Sequence, residues 1–112
     1  MSGISTHVLD TAKGRPAQGV HVVLECRSLE GGWVEAGRGI TDENGRVARL
    51  LGNGEVLQTA SYRLTFSTGE YFKPQECFYP EVTVPFDVRD PSAKYHIPLL
   101  LSPYGYTTYR GS

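Results

Sequence analysis

Apolar and polar residues alternate with a period of two along most of the chain, which is typical of half-buried β-strands. The clearest case runs from Tyr62 to Phe66, where every second residue is large and apolar and the residues between are polar. Residues 20–26 alternate in the same way, with His21 and Glu25 on the more polar side. The pattern predicts about eight short strands, over residues 4–10, 20–26, 33–40, 47–51, 61–66, 81–86, 94–101 and 104–109.

Turns rich in glycine and proline separate these segments. The strongest turn signal is residues 42–45, where Asn and Gly both tolerate positive φ, and Arg46 follows directly, so we expect the turn to fix the direction of Arg46. A helix of one or two turns is predicted over residues 68–73, and Pro74 is expected to end it. Pro85 indicates an edge strand or a bulge. Many short strands at regular spacing predict an all-β fold, a two-sheet sandwich with one short helix.

The length and charge of the chain restrict the classes of protein to which it can belong. A chain of 112 residues can bury one core, so residues 1–112 predict a single domain. The net charge of −1 and the scattered Lys and Arg residues disfavour nucleic acid and anionic membranes as partners. No export signal and no apolar run of about 18 residues is present, so we expect a soluble cytoplasmic protein. Cys26 and Cys77 are then expected to be reduced thiols at strand positions.

Two histidines are predicted on outward strand faces. His7 shares a face with Ser5 and Leu9, and His96 shares a face with Pro98 and Leu100, opposite the apolar set that forms the core. A face that mixes histidine with apolar residues is expected to be covered by another subunit. The sequence therefore predicts an oligomer of closed symmetry, a dimer or a tetramer, in which copies of His7, His96 and Tyr109 come together.

These residues suit proton transfer. Histidine exchanges protons near neutral pH, so His7 and His96 are candidate general bases, while Arg46 supplies a fixed cation for a carbonyl or an oxyanion. The alternative for each histidine is an ordinary surface or interface residue, which is the interpretation for His21. Ser112 has no neighbouring base in the sequence, so it is expected to hydrogen-bond a substrate or water and not to attack as a nucleophile.

Several chemistries have no motif here. The histidines and cysteines lack the HxH, HExxH and CxxC spacings, so no metal site is predicted. The chain has no GxSxG elbow, P-loop or GxGxxG, so serine-hydrolase chemistry and nucleotide cofactors are not predicted either. We expect no cofactor.

At this point the sequence resembles the 5-hydroxyisourate hydrolase family, the transthyretin-related proteins of purine catabolism. The resemblance covers the whole chain and rests on STHVLD at residues 5–10, GRPA at 14–17, TDENGR at 41–46, YPEV at 79–82 and HIPLLLSPYGYTTYRGS at 96–112. The closing Tyr-Arg-Gly-Ser is specific to the enzymes, because transthyretin proper shares the Ser-Pro-Tyr run but lacks this ending.

The resemblance implies a transthyretin-like sandwich and a homotetramer with active sites in the channel between two dimers. It implies a small-molecule substrate and hydrolysis of 5-hydroxyisourate to 2-oxo-4-hydroxy-4-carboxy-5-ureidoimidazoline, in urate degradation, without a metal. The family's functional residues fall on His7, Arg46, His96, Tyr109, Arg110, Gly111 and Ser112.

The implied roles are specific for some residues and open for others. His7 or His96 would take a proton from the attacking water, Arg46 would orient the substrate, and Ser112 would hold the ring or the water. Tyr109 would narrow the channel. Arg110 would bind substrate or brace the end of the chain. Two alternative functions stay open: a transthyretin-like protein that binds a small apolar ligand in the same channel, and a purely structural or adhesion sandwich.

Overall fold

The computed structural model describes residues 3–112, and its secondary structure is almost entirely β. Within these residues there are nine strands and one helix: β1 (Gly3–Asp10), β2 (Arg15–Pro16), β3 (His21–Arg27), β4 (Trp33–Ile40), β5 (Arg46–Val47), β6 (Ala60–Phe66), α1 (Thr68–Phe72), β7 (Val82–Val88), β8 (Lys94–Ser102) and β9 (Gly105–Thr108). The predicted all-β class and the short helix before Pro74 are confirmed.

The strands form two sheets. One has the order β2-β1-β8-β9, with β5 pairing to β1 as well, and the other has the order β4-β3-β6-β7. β1 and β8 run parallel, while the other neighbours are antiparallel. β7 lies at the edge of its sheet, as Pro85 predicts, since proline has no N–H for a second neighbour. This arrangement is the predicted two-sheet sandwich.

The core lies between the sheets and is built by the alternation seen in the sequence. Ile4 and Val8 of β1 are buried, as are every second residue of β8 from Tyr95 to Leu101 and the apolar side of β6. Burial of each such side chain stabilises the fold by roughly 1.5–3 kcal/mol relative to an exposed position. Because these residues point inward, the residues between them, including His7 and His96, lie on the outer face of the β1-β8 sheet.

Residues 47–51 do not form the predicted strand. Only Arg46 and Val47 pair with β1, and the chain then crosses between the sheets. The Leu50 N–H donates to the carbonyl oxygen of Ile4 over 3.0 Å, and the Gly52 N–H donates to that of Ala36 in the other sheet over 2.9 Å. The apolar run is therefore explained by a buried crossing, in which Leu50 closes one side of the core.

The two cysteines are free thiols, as predicted, but only one occupies a strand. Cys26 belongs to β3, whereas Cys77 lies in the connection between α1 and β7. The prediction of a strand position for Cys77 is wrong because this residue is half-buried in a loop whose other residues, 73–76 and 78–81, are exposed. Within residues 3–112, no helix has the length and apolar character needed to span a membrane.

Candidate active site

Arg46 is placed by the tight turn over residues 42–45. The Gly45 N–H donates to the carbonyl oxygen of Asp42 over 2.9 Å, and the φ of Gly45 is 76°, in the region that favours glycine. The Asp42 carboxylate accepts hydrogen bonds from the backbone N–H groups of Asn44 and Arg46 at 2.8 and 2.9 Å. The bond from the Arg46 N–H is the main reason that the pKa of Asp42 lies below its ordinary value. The turn thus fixes the backbone of Arg46.

His7 stands directly opposite Arg46. The two residues are partners in the antiparallel pair of β1 and β5, so their side chains share one face of the sheet. The turn is tied to β1 by the Val8 N–H, which donates to the carbonyl oxygen of Gly45 over 2.7 Å. A Cβ atom at Gly45 would lie 2.3 Å from the carbonyl oxygen of Val8, so glycine permits this close approach. A histidine and a cation are thereby juxtaposed.

His96 reaches the same face through the neighbouring strand. The parallel register of β1 and β8 pairs it with Ser5, and the Ser5 hydroxyl oxygen is 2.8 Å from Nδ1 of His96. Burial lowers the pKa of His96 below its ordinary value, and the charges of Arg46 and His7 lower it further. His96 is therefore held as neutral imidazole over more of the pH range than an isolated histidine.

The last residues of the chain pack against His96. After β9 ends, the Gly111 N–H donates to the carbonyl oxygen of His96 over 2.8 Å, and the two residues form an antiparallel bridge. A Cβ atom at Gly111 would lie 2.5 Å from Cδ2 of His96 and 3.2 Å from Cγ of Pro98. Only glycine leaves room for the imidazole here, so the end of the chain is part of the site.

These groups surround a cavity of about 310 Å³. Its polar lining includes Ser5, Arg46, Lys94, His96 and Ser112. Two of these side chains are permanent cations near neutral pH, and two are hydroxyls. The lining therefore suits a small ligand that carries carbonyl oxygens or negative charge, and it offers a neutral imidazole for proton transfer.

The predicted site residues divide between this cavity and a second one. Arg46, His96, Gly111 and Ser112 line the first cavity, and His7 adjoins it through Arg46. Tyr109 and Arg110 line a second cavity of about 220 Å³, which also touches His96 but lies between β7 and β9.

Arg110 has an aromatic partner. Its guanidinium carbon is 4.7 Å from the ring centroid of Tyr95, which is only 6% exposed. This distance permits a cation–π interaction. The contact joins the end of the chain to β8 and places the charge of Arg110 away from the first cavity.

Sequence reasoning left out Ser5 and Lys94 as site residues. Ser5 shares the face of His7, a fact that the alternation in β1 already indicates, but its partner depends on the parallel register of β1 with β8. Lys94 lies two residues before His96 and so shares its face, which is a signal the sequence does contain.

Within residues 3–112, no three side chains of His, Cys, Asp or Glu lie together in a way that could hold a metal ion.

The chain is similar in sequence to proteins of one family. A sequence model of the HIUase/Transthyretin family matches residues 4–111. The 5-hydroxyisourate hydrolase of Salmonella typhimurium is 44% identical over 111 residues, which are 97% of this chain and 80% of that protein. The 5-hydroxyisourate hydrolase of Mus musculus is 45% identical over 116 residues, covering 99% of this chain and 96% of the relative.

Solved structures share the fold. The 5-hydroxyisourate hydrolase of Klebsiella pneumoniae superimposes with a TM-score of 0.85 at 32% identity, over 100% of both chains. Transthyretin from Sparus aurata superimposes with a TM-score of 0.88 at 30% identity, over 96% of this chain and 95% of that one. The fold is thus common to proteins of two different names, and the side chains in the cavity must distinguish between them.

Proposed function

Because the chain belongs to the HIUase/Transthyretin family and is a hydrolase, we propose that it hydrolyses 5-hydroxyisourate. The product would be 2-oxo-4-hydroxy-4-carboxy-5-ureidoimidazoline, a step of urate degradation. One observation carries the proposal: Arg46, His96 and Ser112 line a single cavity, and His7 stands opposite Arg46. This set coincides with the residues that the family resemblance singles out in the sequence.

The proposed reaction is the attack of water on a ring carbonyl. His7 or His96 accepts a proton from the water as oxygen bonds to the carbonyl carbon, and negative charge develops on the carbonyl oxygen. The carbon–nitrogen bond of the cyclic amide then breaks, the leaving nitrogen takes up a proton, and the carbonyl becomes a carboxylate. The charge of Arg46 stabilises the oxyanion, for which a positioned cation is most effective.

The electrostatics of His96 support this chemistry. The pKa of His96 is lowered by burial and by the charges of Arg46 and His7, so the imidazole is uncharged at neutral pH. An uncharged imidazole can accept a proton through one ring nitrogen or donate a hydrogen bond through the other. The proposal needs no metal and no cofactor, since every step is assigned to a side chain or to water.

The last two residues are proposed to hold the substrate, while Tyr109 and Arg110 have other roles. Ser112 and the backbone of Gly111 border the cavity, where they can bind the ring or the attacking water. Tyr109 narrows the approach from the second cavity. For Arg110 we favour the bracing role over substrate binding, because its guanidinium lies over the buried ring of Tyr95.

We further propose that the site is completed in a homotetramer, at the contact between two dimers. His7 and His96 lie on the outer face of the sheet, together with the apolar Leu9 and Leu100, and all four are half-buried in the isolated chain. A second copy packed on this face would exclude water from the cavity, which strengthens electrostatic stabilisation of the oxyanion.

One observation favours a second candidate function, the binding of a small apolar ligand. Sea bream transthyretin in complex with thyroxine superimposes on this chain with a TM-score of 0.87 at 30% identity. In that protein, the fold therefore holds a small ligand. A charged cavity lined by Arg46, Lys94 and His96 is less suited to an apolar ligand, because burying cations against apolar atoms costs free energy.

The test is the decay of freshly generated 5-hydroxyisourate, followed by ultraviolet absorbance with the uncatalysed rate subtracted. We expect the wild type to accelerate the decay and His96→Asn to lose most of the acceleration. His21→Asn is the matched control, because His21 is an exposed residue of β3 outside the first cavity. A wild type that matches the uncatalysed rate but binds thyroxine in calorimetry would contradict the proposal and favour the second candidate.

A further inference from the structure

The structure joins a hydroxyl group to the imidazole of His96. We propose that Ser5 is a positioning residue that holds His96 in the tautomer with the proton on Nε2. The Ser5 hydroxyl oxygen and Nδ1 of His96 are 2.8 Å apart, and the parallel register of β1 and β8 sets these two residues side by side. The inference rests on the proposed function for its catalytic meaning, but the tautomer itself is a property of the folded chain.

The direction of this hydrogen bond follows from counting partners. The Ser5 side chain makes no second hydrogen bond to any residue of 3–112. If the hydroxyl donates to Nδ1, both groups are satisfied by one bond. If Nδ1–H donated to the hydroxyl oxygen instead, the hydroxyl proton would have no acceptor in the described protein. In the neutral ring, the nitrogen that accepts carries no proton, so the proton must be on Nε2.

The packing of the ring leaves Nε2 accessible to solvent. Gly111 lies against Cδ2 and Cγ of His96, so close that an added Cβ would be 2.5 Å from the first and 3.3 Å from the second. Nδ1 is occupied by Ser5, which leaves the edge formed by Cε1 and Nε2. Nε2 makes no hydrogen bond to residues 3–112. Every buried side-chain nitrogen in these residues does have a hydrogen-bond partner, so Nε2 is not buried and is accessible to solvent.

Burial and, after it, charge keep the ring in this neutral form. Asp87 lines the second cavity, which His96 also touches, but the ionisable side chains at the first cavity, Arg46 and Lys94 with His7 opposite Arg46, are basic. A second proton on His96 would be repelled by these groups. His96 then presents an N–H donor, and Arg46 lines the first cavity together with it.

It follows that the two histidines have different roles. With Nε2 protonated, His96 donates a hydrogen bond to the substrate carbonyl oxygen and stabilises the negative charge that develops there. The water's proton is left to His7, which makes no hydrogen bond to residues 3–112 that would occupy its ring nitrogens. Ser5 acts through His96 and does not itself touch the reacting atoms.

The experiment reads the tautomer directly. In protein labelled with ¹⁵N-histidine, long-range ¹H–¹⁵N correlation spectra distinguish a ring nitrogen with a free lone pair from one that carries a proton. His96→Asn assigns the signals. We compare the wild type, Ser5→Ala, Ser5→Thr and the control Ser61→Ala, in which a hydroxyl bound to Asp87 on another strand pair is removed.

We expect Nδ1 of His96 to be unprotonated in the wild type, in Ser5→Thr and in Ser61→Ala. In Ser5→Ala we expect a mixture of tautomers and a loss of about tenfold in kcat with little change in KM, because only one hydrogen bond to the ring is removed. Ser5→Thr should restore most of kcat, since it retains the hydroxyl.

Two results overturn the inference. One is a wild-type His96 that carries its proton on Nδ1, and the other is a Ser5→Ala variant that keeps the wild-type tautomer. Both are read without turnover, so they are distinguishable from failure of the proposed function, which appears as a wild type that does not accelerate the decay of 5-hydroxyisourate.

Discussion

The backbone N–H of Gly111 donates to the carbonyl oxygen of His96 over 2.8 Å, and the imidazole of His96 occupies the space that a side chain at Gly111 would need. A residue near the end of the chain is therefore held by one hydrogen bond and one packing contact against a histidine of β8. Since His96 and Ser112 line the same cavity, the position of the terminal residues and the geometry of the site depend on each other.

Gly111→Ala should separate folding from turnover. The added Cβ would lie 2.5 Å from Cδ2 of His96, so the ring or the chain end must move. A displacement of about 1 Å at a reacting group can cost about 100-fold in rate, and we expect a loss of that order in kcat/KM with little change in Tm. Gly105→Ala is the control, because its Cβ would meet nothing closer than 3.8 Å. Equal activity in the two variants would contradict the close contact.

Removal of the Arg46 charge should raise the pKa of His96. Burial is the larger cause of the lowered pKa and remains in Arg46→Gln, so the rise toward the ordinary value should be partial. Proton NMR titration of the His96 ring measures it. Arg38→Gln is the control, because Arg38 pairs with Glu35 on the other sheet. An unchanged midpoint in Arg46→Gln would show that this charge does not act on His96.

The same pKa gives a pH dependence of stability. The pKa of His96 is lower in the folded chain than in the unfolded one, so below the ordinary value the unfolded state binds more protons. The contribution of His96 to stability is therefore lost as the pH falls from that value toward the folded pKa, and it does not change at higher pH. We expect His96→Asn to flatten the dependence of Tm on pH in this window. The midpoint of thermal unfolding, measured at several pH values for both proteins, checks the sign.

Asp42 should affect activity through Arg46. Asp42→Ala removes the acceptor for two backbone N–H groups of the turn, and we expect a loss of about three- to tenfold in kcat/KM, because the direction of Arg46 is less well defined. Asp42→Asn keeps an acceptor oxygen and should lose less. Steady-state kinetics on the three proteins orders them, and an Asn variant that is worse than the Ala variant would contradict this role.

Tyr71 should matter for stability and not for turnover. Its hydroxyl donates to the carboxylate of Asp10 over 2.7 Å, and Asp10 is only 1% exposed. Burial and this hydrogen bond raise the pKa of Tyr71 to about 12, so the donor persists in alkaline solution. Tyr71→Phe leaves a buried carboxylate oxygen unpaired and should lower the free energy of unfolding, measured with urea, by about 1–3 kcal/mol. Tyr104→Phe, at an exposed ring, should cost much less, and similar values for both would argue against the Asp10 bond.

The fold was predictable from the sequence where local pattern decides it. The alternation in β1, β6 and β8 assigns the inward faces, and the turn before Arg46 is specified by Asn44 and Gly45. The prediction of a strand over residues 47–51 was wrong because a run with two leucines can be buried equally well in a strand and in a crossing between the sheets. Which one forms depends on partners that are distant in sequence, such as Ile4 and Ala36.

The candidate site was predictable residue by residue but not in its contacts. Faces of single strands and the family resemblance identify His7, Arg46 and His96. The bond between Ser5 and His96 requires the parallel register of two strands 91 residues apart, which no local signal contains. The position of Arg110 over Tyr95 likewise follows from how the chain leaves β9.

The most direct test of the account is turnover of 5-hydroxyisourate by a chain that ends at Tyr109. It lacks Arg110, which lies over Tyr95, and also Gly111 and Ser112, which border the cavity next to His96, but it keeps both sheets and the core. We expect this variant to fold, with the circular dichroism spectrum of the wild type and a similar Tm, and to leave the substrate decaying at the uncatalysed rate. A truncated chain that turns over substrate as fast as the wild type would contradict the claim that the last residues complete the active site.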